Sequence, residues 1–127
     1  MTPATLLHRQ VHPSFCMEDG HIMSVAFRPF PKDTGFLSVY DGGQATAEVA
    51  FVHYTAVLGF ASAGVWSVSV GECTDFKLSV RLDPRQDSPA HAVIDFTSLE
   101  KKQIETKSKL LAAKAEARGC QYRKPGR

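Results

Sequence analysis

The sequence has no apolar run near the ~18 residues that a membrane-spanning helix needs, and it has little cysteine. Cys16, Cys73 and Cys120 are widely spaced and contain no CxxC pair, which argues against a disulfide framework and for a reducing compartment. The opening residues, MTPATLLHRQVHPSF, also lack the basic segment and long apolar stretch of a secretory signal. These absences predict a cytoplasmic protein that does not enter the membrane.

No catalytic or cofactor motif is complete anywhere in the chain. Residues 41–43 (Asp-Gly-Gly) are too short for a glycine-rich phosphate loop and are typical of a turn. Four possible zinc ligands follow an H-x3-H-x3-C-x4-H spacing: His8, His12, Cys16 and His21. Pro13 interrupts the helix that would align them, and the paired short spacings of zinc sites are missing. We therefore predict neither a metal nor a cofactor.

The composition is that of one globular domain. With 127 residues, 43% apolar and 22% charged, the chain is long enough for a single core and too apolar to be disordered. Alternating or β-branched runs predict strands over 21–27, 36–40, 65–70, 78–82 and 91–96. Residues 5–11 fit either a strand or a turn of helix. Apolar residues at three-to-four spacing predict a helix over 45–58, and a turn is predicted over 71–75.

A second helix is predicted near the C-terminus. Thr97 and Glu100 have the spacing of a capping box, and a Lys- and Ala-rich segment follows them as far as Arg118. The pattern indicates an α+β domain over residues 1–118, with a mixed or antiparallel sheet of five or six strands, one packed central helix and a basic helix over 98–118. Residues 119–127 are predicted to form a basic flexible tail.

Charge is divided unevenly along the chain. Residues 1–100 carry 6 Lys and Arg against 11 Asp and Glu, whereas residues 101–127 carry 9 against 2. An acidic body with a basic C-terminal helix suggests either an internal contact or an external acidic partner. Nucleic acid is one such partner, although no recognised nucleic-acid motif accompanies the lysines.

Several short segments resemble a small family of uncharacterised bacterial proteins. They are HPSF, AFRPFPKD, LSVYDG and HAVIDF, the last followed by the Lys- and Ala-rich helix, and together they span most of residues 8–118. The family has no established activity, so the resemblance implies a bacterial cytoplasmic origin and transfers no catalytic residue.

The order of the predicted elements is also similar to that of ADP-ribosyltransferase-type folds, which hold a nicotinamide dinucleotide. That similarity implies an Arg or His on the first strand and a Ser or Tyr in the middle of the fold; the matching residues are Arg9, His12, Ser38 and Tyr40. A late acidic residue is not obvious, since Asp95 is the only candidate at a strand end. His91 precedes a strand after a polar loop, where it fits either a base or a structural histidine.

Without a complete catalytic set, we expect a non-enzymatic accessory protein that acts through a partner protein. Its contact surface is predicted on the RPFPKD loop and the basic helix, at Arg28, Lys32, Lys101, Lys102, Lys107 and Lys109. The alternatives are the nucleotide-using transferase and nucleic-acid contact through the helix lysines, Lys114 among them. A deep apolar cleft between the N-terminal strands and the 45–58 helix favours an enzyme, whereas a flat, basic surface without a pocket favours binding.

Overall fold

The structure, a computed structural model, describes residues 1–125 as one α+β domain with a six-stranded antiparallel sheet. The sheet order is β4-β5-β2-β1-β3-β6. The strands are β1 (Leu6–Val11), β2 (Phe36–Asp41), β3 (Gly64–Ser69), β4 (Ser79–Leu82), β5 (His91–Asp95) and β6 (Tyr122–Arg123). The helices are α1 (Ala47–Val52), α2 (Val70–Asp75) and α3 (Lys101–Arg118), and a π-helical turn, His53–Val57, continues α1. The predicted fold class is confirmed.

One face of the sheet carries the main apolar core. Side chains of successive strand residues point to opposite faces, so every second residue of the central strands faces this core. The buried strand residues there are Leu7, Val11, Leu37, Val39, Trp66, Val68, Ala92 and Ile94. Helix α3 covers them with Leu111, Ala112 and Ala115, and Phe27 fills the space beside it. The C-terminal helix is therefore part of the core and not an appendage.

The opposite face of the sheet is polar and only partly covered. Helix α1 lies over it, starting where the Thr46 hydroxyl accepts the Val49 N–H at 3.1 Å. A small cluster of Tyr40, Ala45, Ala50 and Ala90 packs there. This second layer is too small to fill the face, which leaves room for a cavity over the central strands.

Two sequence predictions of local structure are wrong. The segment 21–27 contains a 3₁₀ helix, Ser24–Phe27, in place of a strand, because the consecutive residues Ala26 and Phe27 are both buried. The turn predicted over 71–75 is helix α2. Ser69 and Glu72 form its capping box, with the Glu72 N–H donating to Ser69 Oγ at 3.0 Å and the Ser69 N–H to Glu72 Oε1 at 2.8 Å.

The boundaries of the C-terminal region also differ from the prediction. Thr97 bonds to Asp95 and does not cap α3; the helix begins after Glu100, whose N–H donates to Gln103 Oε1 at 3.0 Å. Tyr122 and Arg123 pair with β3, so the domain continues past Arg118 into the segment predicted as a tail. Residues 126–127 lie outside the described part. No helix within residues 1–125 is long and apolar enough to cross a membrane.

The burial of α3 predicts a difference between two neighbouring leucines. Leu111 is fully buried, whereas Leu110 is 42% exposed. Because a buried Leu→Ala change loses apolar burial and leaves a cavity, Leu111→Ala is expected to cost about 2–5 kcal/mol of unfolding free energy. Leu110→Ala, the matched control, is expected to cost about 0.5 kcal/mol or less. Urea unfolding followed by circular dichroism measures both; equal losses would contradict the packing of α3.

Candidate functional site

A row of polar side chains crosses the centre of the sheet on its partly covered face. The strand register places His8 of β1 opposite Tyr40 of β2, and Tyr40 opposite His91 of β5. On its other side His8 is opposite Ser67 of β3, and its Nδ1 lies 2.7 Å from Ser67 Oγ. Three strands therefore bring two histidines and a tyrosine together from distant parts of the chain.

A cavity of about 310 Å³ lies over this row. Its floor comes from the strands and includes His8, Gln10, Ser38, Tyr40 and His91. Its outer wall comes from the π-helical turn and the residues after it, with Tyr54, Leu58 and Phe60. The Tyr54 and Phe60 rings pack with centroids 5.2 Å apart, and Phe60 is 56% exposed. The cavity thus has a polar floor and an apolar, partly open rim.

A hydrogen-bonded chain holds the π-helical turn against the sheet. Tyr40 Oη lies 2.7 Å from His53 Nδ1, and His53 Nε2 lies 2.7 Å from the Asp87 carbonyl oxygen. A carbonyl only accepts, so Nε2 carries the His53 proton and Nδ1 accepts from the Tyr40 hydroxyl. Burial raises the pKa of Tyr40 to about 12, which keeps this hydroxyl protonated. This series of hydrogen bonds, from Tyr40 through His53 to Asp87, fixes the outer wall of the cavity.

Arg9 bridges a gap between the two central strands. Paired residues join β1 and β2 at only two positions, Leu7–Asp41 and His8–Tyr40. Beyond these pairs the half-buried Arg9 donates from Nε to the Ala26 carbonyl at 2.8 Å and from Nη1 to the Ser38 carbonyl at 2.9 Å. Two donors are used in this way, and the residue also lines the cavity. The bridge therefore joins the two strands beyond their last paired residues.

Gln10 brings an unsatisfied polar group to the same cavity. Its Oε1 accepts from Ser62 Oγ at 2.8 Å, while its Nε2 is buried and has no hydrogen-bond partner within the described residues. Gln10 as a whole is 7% exposed. An unpaired buried donor costs free energy, and among the described residues that line the cavity Gln10 alone has one.

His91 links Ser38 to Asp83. Its Nε2 lies 3.1 Å from Ser38 Oγ, and its Nδ1 lies 3.1 Å from the Asp83 carbonyl oxygen and 3.0 Å from Asp83 Oδ2. Because both Asp83 atoms accept, Nδ1 carries the proton and Nε2 presents its lone pair to Ser38. Burial lowers the pKa of His91, and the neighbouring Arg85 lowers it further, against the opposing effect of Asp83.

The predicted catalytic residues divide into two groups. Arg9, Ser38 and Tyr40 all line the cavity. His12 lies outside it, in a neighbouring depression, where its Nδ1 is 2.7 Å from Ser14 Oγ. The structure therefore brings together three of the four residues, and the cavity lies between the N-terminal strands and the α1 segment, the position predicted to favour an enzyme.

The predicted partner-binding residues lie in different surroundings. Arg28 and Lys101 line a shared groove of about 370 Å³, and Arg28 Nε is buried there without a partner among the described residues. Lys102 and Lys109 are exposed on α3. Lys107 differs, because its ammonium group donates to the Phe76 carbonyl after α2. The Lys32 side chain lies outside the described part of the structure.

The four spaced histidine and cysteine residues of the N-terminal region do not converge. The His21 side chain instead contacts Glu116 of α3, and its Nδ1 lies 2.7 Å from Glu116 Oε2. Over residues 1–125, no group of three or more histidine, cysteine or acidic side chains is arranged to hold a metal ion.

The chain matches no protein-family model, no curated protein and no solved structure in the comparisons made. The resemblance to uncharacterised bacterial proteins therefore stays a prediction, and the geometry of the cavity is the basis for inferring a function.

Gln10, Asp83 and Arg85 are site residues that the sequence predictions missed. A partial signal exists for Gln10, because it lies two residues after His8 and would share a face with it if residues 5–11 form a strand. Asp83 and Arg85 lie in a polar loop before β5, and only the pairing of β4 with β5 brings that loop beside His91.

The buried and exposed histidines predict opposite titration behaviour. Burial lowers the pKa of His8 and His91 below 6.5, whereas the carboxylate of Glu116 raises the pKa of His21 above it. We expect these directions in a histidine-resolved NMR titration. For His8 and His91 the unfolded chain binds more protons than the folded chain below 6.5, so their contribution to stability is lost as the pH falls through the folded-state midpoints. A His91 midpoint above that of His21 would contradict the site.

Proposed function

We propose that the cavity binds a small organic molecule that joins an oxygen acceptor, such as a carboxylate or carbonyl group, to an apolar body. The observation that carries this proposal is Gln10, which lines the cavity and whose buried Nε2 has no hydrogen-bond partner within the described residues. A buried amide donor needs an acceptor, and a ligand oxygen is the acceptor that the cavity can admit.

Positive charge supports an acceptor that is anionic. Arg9 and Arg85 both line the cavity, and each has bonded only part of its guanidinium to the described residues. Asp83 neutralises part of the Arg85 charge at 3.2 Å, and Asp87 adds a carboxylate to the same wall. Arg9 is therefore the cation whose charge is least compensated nearby, and guanidinium groups bind carboxylates in a well-defined geometry.

The apolar rim supports the second half of the proposed ligand. Tyr54, Leu58 and Phe60 offer an aromatic and aliphatic surface across from the polar floor. A volume of about 310 Å³ is at the lower end of ligand cavities, which span ~300–1,000 Å³. The size fits a compact molecule and excludes a polymer as the occupant of the cavity itself.

Benzoate and hexanoate are suitable probes, with benzyl alcohol and hexanol as neutral partners of matched size. We expect saturable shifts of the Gln10 side-chain amide resonances in ¹⁵N-labelled protein when the carboxylates are added, and weaker shifts with the alcohols. Gln10→Glu places a negative charge beside the ligand and is expected to weaken carboxylate binding at least tenfold, which is about 1.4 kcal/mol.

Two further variants test whether the effect of Gln10→Glu on carboxylate binding comes from its place in the cavity. Gln103→Glu, the same change on exposed α3, is expected to leave binding unchanged. Arg85→Gln, at a side chain 59% exposed, is expected to weaken carboxylates more than alcohols without unfolding the domain. Carboxylate binding that is unchanged in both Gln10→Glu and Arg85→Gln would overturn the proposal, as would the absence of any saturable shift.

The predicted nucleotide-using transferase draws on the same cavity, since Arg9, Ser38 and Tyr40 line it. NAD belongs in the probe panel for this reason. Saturable shifts at the Gln10 amide with NAD, and none with the carboxylates, would favour the transferase.

A second proposal retains the predicted partner-protein surface, because Arg28 and Lys101 line one groove that also contains Phe30, Pro31 and Ile104. Removing α3 would expose the core, so the test uses the full chain with Lys101→Glu. Loss of a stoichiometric partner in pull-downs with this variant is the expected result, with retention in Lys77→Glu, the same change at an exposed lysine outside the predicted surface. Equal capture by both variants would contradict a contact at this groove.

A further inference from the structure

Ser38, His91 and Asp83 form a hydrogen-bonded series at the edge of the cavity. Ser38 Oγ is 3.1 Å from His91 Nε2, and His91 Nδ1 is 3.0 Å from Asp83 Oδ2. The protonated nitrogen faces Asp83 and the lone pair faces the serine hydroxyl, as a histidine that removes a serine proton requires. The three residues come from β2, β5 and the loop that joins β4 to β5, and such a series is recognised by geometry and not by sequence order.

The series combines an accessible serine with a sheltered base. Ser38 is exposed and borders both the main cavity and a second depression that contains Asp83 and Arg81. The His91 side chain is only 10% exposed, although Asp83 is 47% exposed. A substrate in the cavity can reach Ser38 Oγ, while the imidazole stays fixed between its two partners.

We propose that the chain hydrolyses small carboxylic esters, with Ser38 as nucleophile, His91 as general base and acid, and Asp83 as the residue that positions His91. This inference rests on the proposed function, because the same cavity must hold the acyl group. A small ester joins a carbonyl oxygen to an apolar body, and so has both features of the proposed ligand.

Each step of the reaction balances with water as the second substrate. Ser38 Oγ bonds to the carbonyl carbon as its proton passes to His91 Nε2; the bond from that carbon to the leaving alcohol then breaks, and the alcohol takes the proton from His91. Water next attacks the acyl-serine and gives its proton to His91. The bond to Ser38 Oγ breaks, and Ser38 regains the proton, which leaves a carboxylic acid and an alcohol.

Negative charge develops on the carbonyl oxygen during both attacks. Fixed donors that face this charge stabilise the transition state more than the substrate. Gln10 and Arg9 line the same cavity as Ser38, and Arg9 Nη1 donates to the Ser38 carbonyl at 2.9 Å. They supply donors for the developing charge from neighbouring strand β1.

The test uses a fluorophosphonate probe and 4-nitrophenyl butyrate on the full chain. An activated serine attacks the phosphorus of the probe, fluoride leaves, and the adduct is located by tandem mass spectrometry. We expect labelling at Ser38, abolished in Ser38→Ala and slowed about 100-fold or more in His91→Gln. Release of 4-nitrophenol is expected to fall in parallel.

Ser14 provides a matched control. Its hydroxyl also bonds a histidine, His12 Nδ1, at 2.7 Å, but on the exposed surface outside the cavity. Ser14→Ala is expected to keep the rates of labelling and ester hydrolysis unchanged. Circular dichroism verifies that each variant is folded, and the exposed Ser38→Ala keeps the test decisive if His91→Gln unfolds the domain.

Asp83 acts through His91, so its test is a pH profile. The rate constant kcat/KM is expected to rise with pH as His91 loses its proton. Asp83→Asn removes a carboxylate that raises the pKa of His91, and is expected to lower both the midpoint of that profile and the maximal rate, the rate by about tenfold or more. Asp83→Glu is expected to restore part of the rate.

The outcomes separate the two proposals. Carboxylate binding at Gln10 without labelling of Ser38 would overturn ester hydrolysis and leave the proposed ligand cavity standing. Labelling at another residue, or hydrolysis that survives Ser38→Ala, would also overturn the inference. Absence of both carboxylate binding and Ser38 labelling would remove the proposed function together with it.

Discussion

The alternation of side chains across the central strands is the constraint on which both layers of this protein depend. Leu7 and Val11 face the α3 side, while His8 and Gln10, which lie between them in sequence, face the opposite side. A shift of β1 by one residue would exchange the two sets and place histidine in the core. The buried apolar residues under α3 therefore fix the register of the sheet, and that register in turn aligns His8 and Tyr40 in the floor of the cavity.

The polar face is stabilised by directional bonds more than by apolar packing. Three titratable groups there are each held by a specific partner: His8 by Ser67, Tyr40 by His53, and His91 by Asp83. Buried polar groups of this kind cost free energy unless they are paired, so the network favours one arrangement of the cavity walls. Unlike these groups, the Gln10 Nε2 donor is unpaired in the described structure. Gln10 is therefore the residue of this face whose hydrogen bonding the fold leaves unfinished.

The strands were predictable because their alternating or β-branched patterns are local. The runs at 36–40, 65–70, 78–82 and 91–96 each became a strand of the sheet, with shifts of about one residue at their ends. The 3₁₀ helix at Ser24–Phe27 was not predictable from alternation, since its two buried residues owe their burial to α3, far along the chain. The capping of α2 by Ser69 and Glu72 was readable in principle, but a six-residue helix gives too short a pattern to outweigh a turn.

The candidate site was predictable only in part, for a related reason. Arg9, Ser38 and Tyr40 were assigned from the similarity to ADP-ribosyltransferase-type folds, and they do share a cavity. The relation of Ser38 to His91 and Asp83 depends on which strands are neighbours, and one sequence does not reveal strand order. His12 illustrates the opposite error, since it follows β1 by one position yet lies outside the main cavity.

The short pairing between β1 and β2 has a consequence for how the sheet opens. Six residue pairs join β1 to β3 and five join β2 to β5, but only two join β1 to β2. The sheet is thus two three-stranded units with a narrow seam, reinforced by the Arg9 bridge. We expect amide hydrogen exchange to resolve these units as separate foldons, which part first along the seam that the cavity overlies.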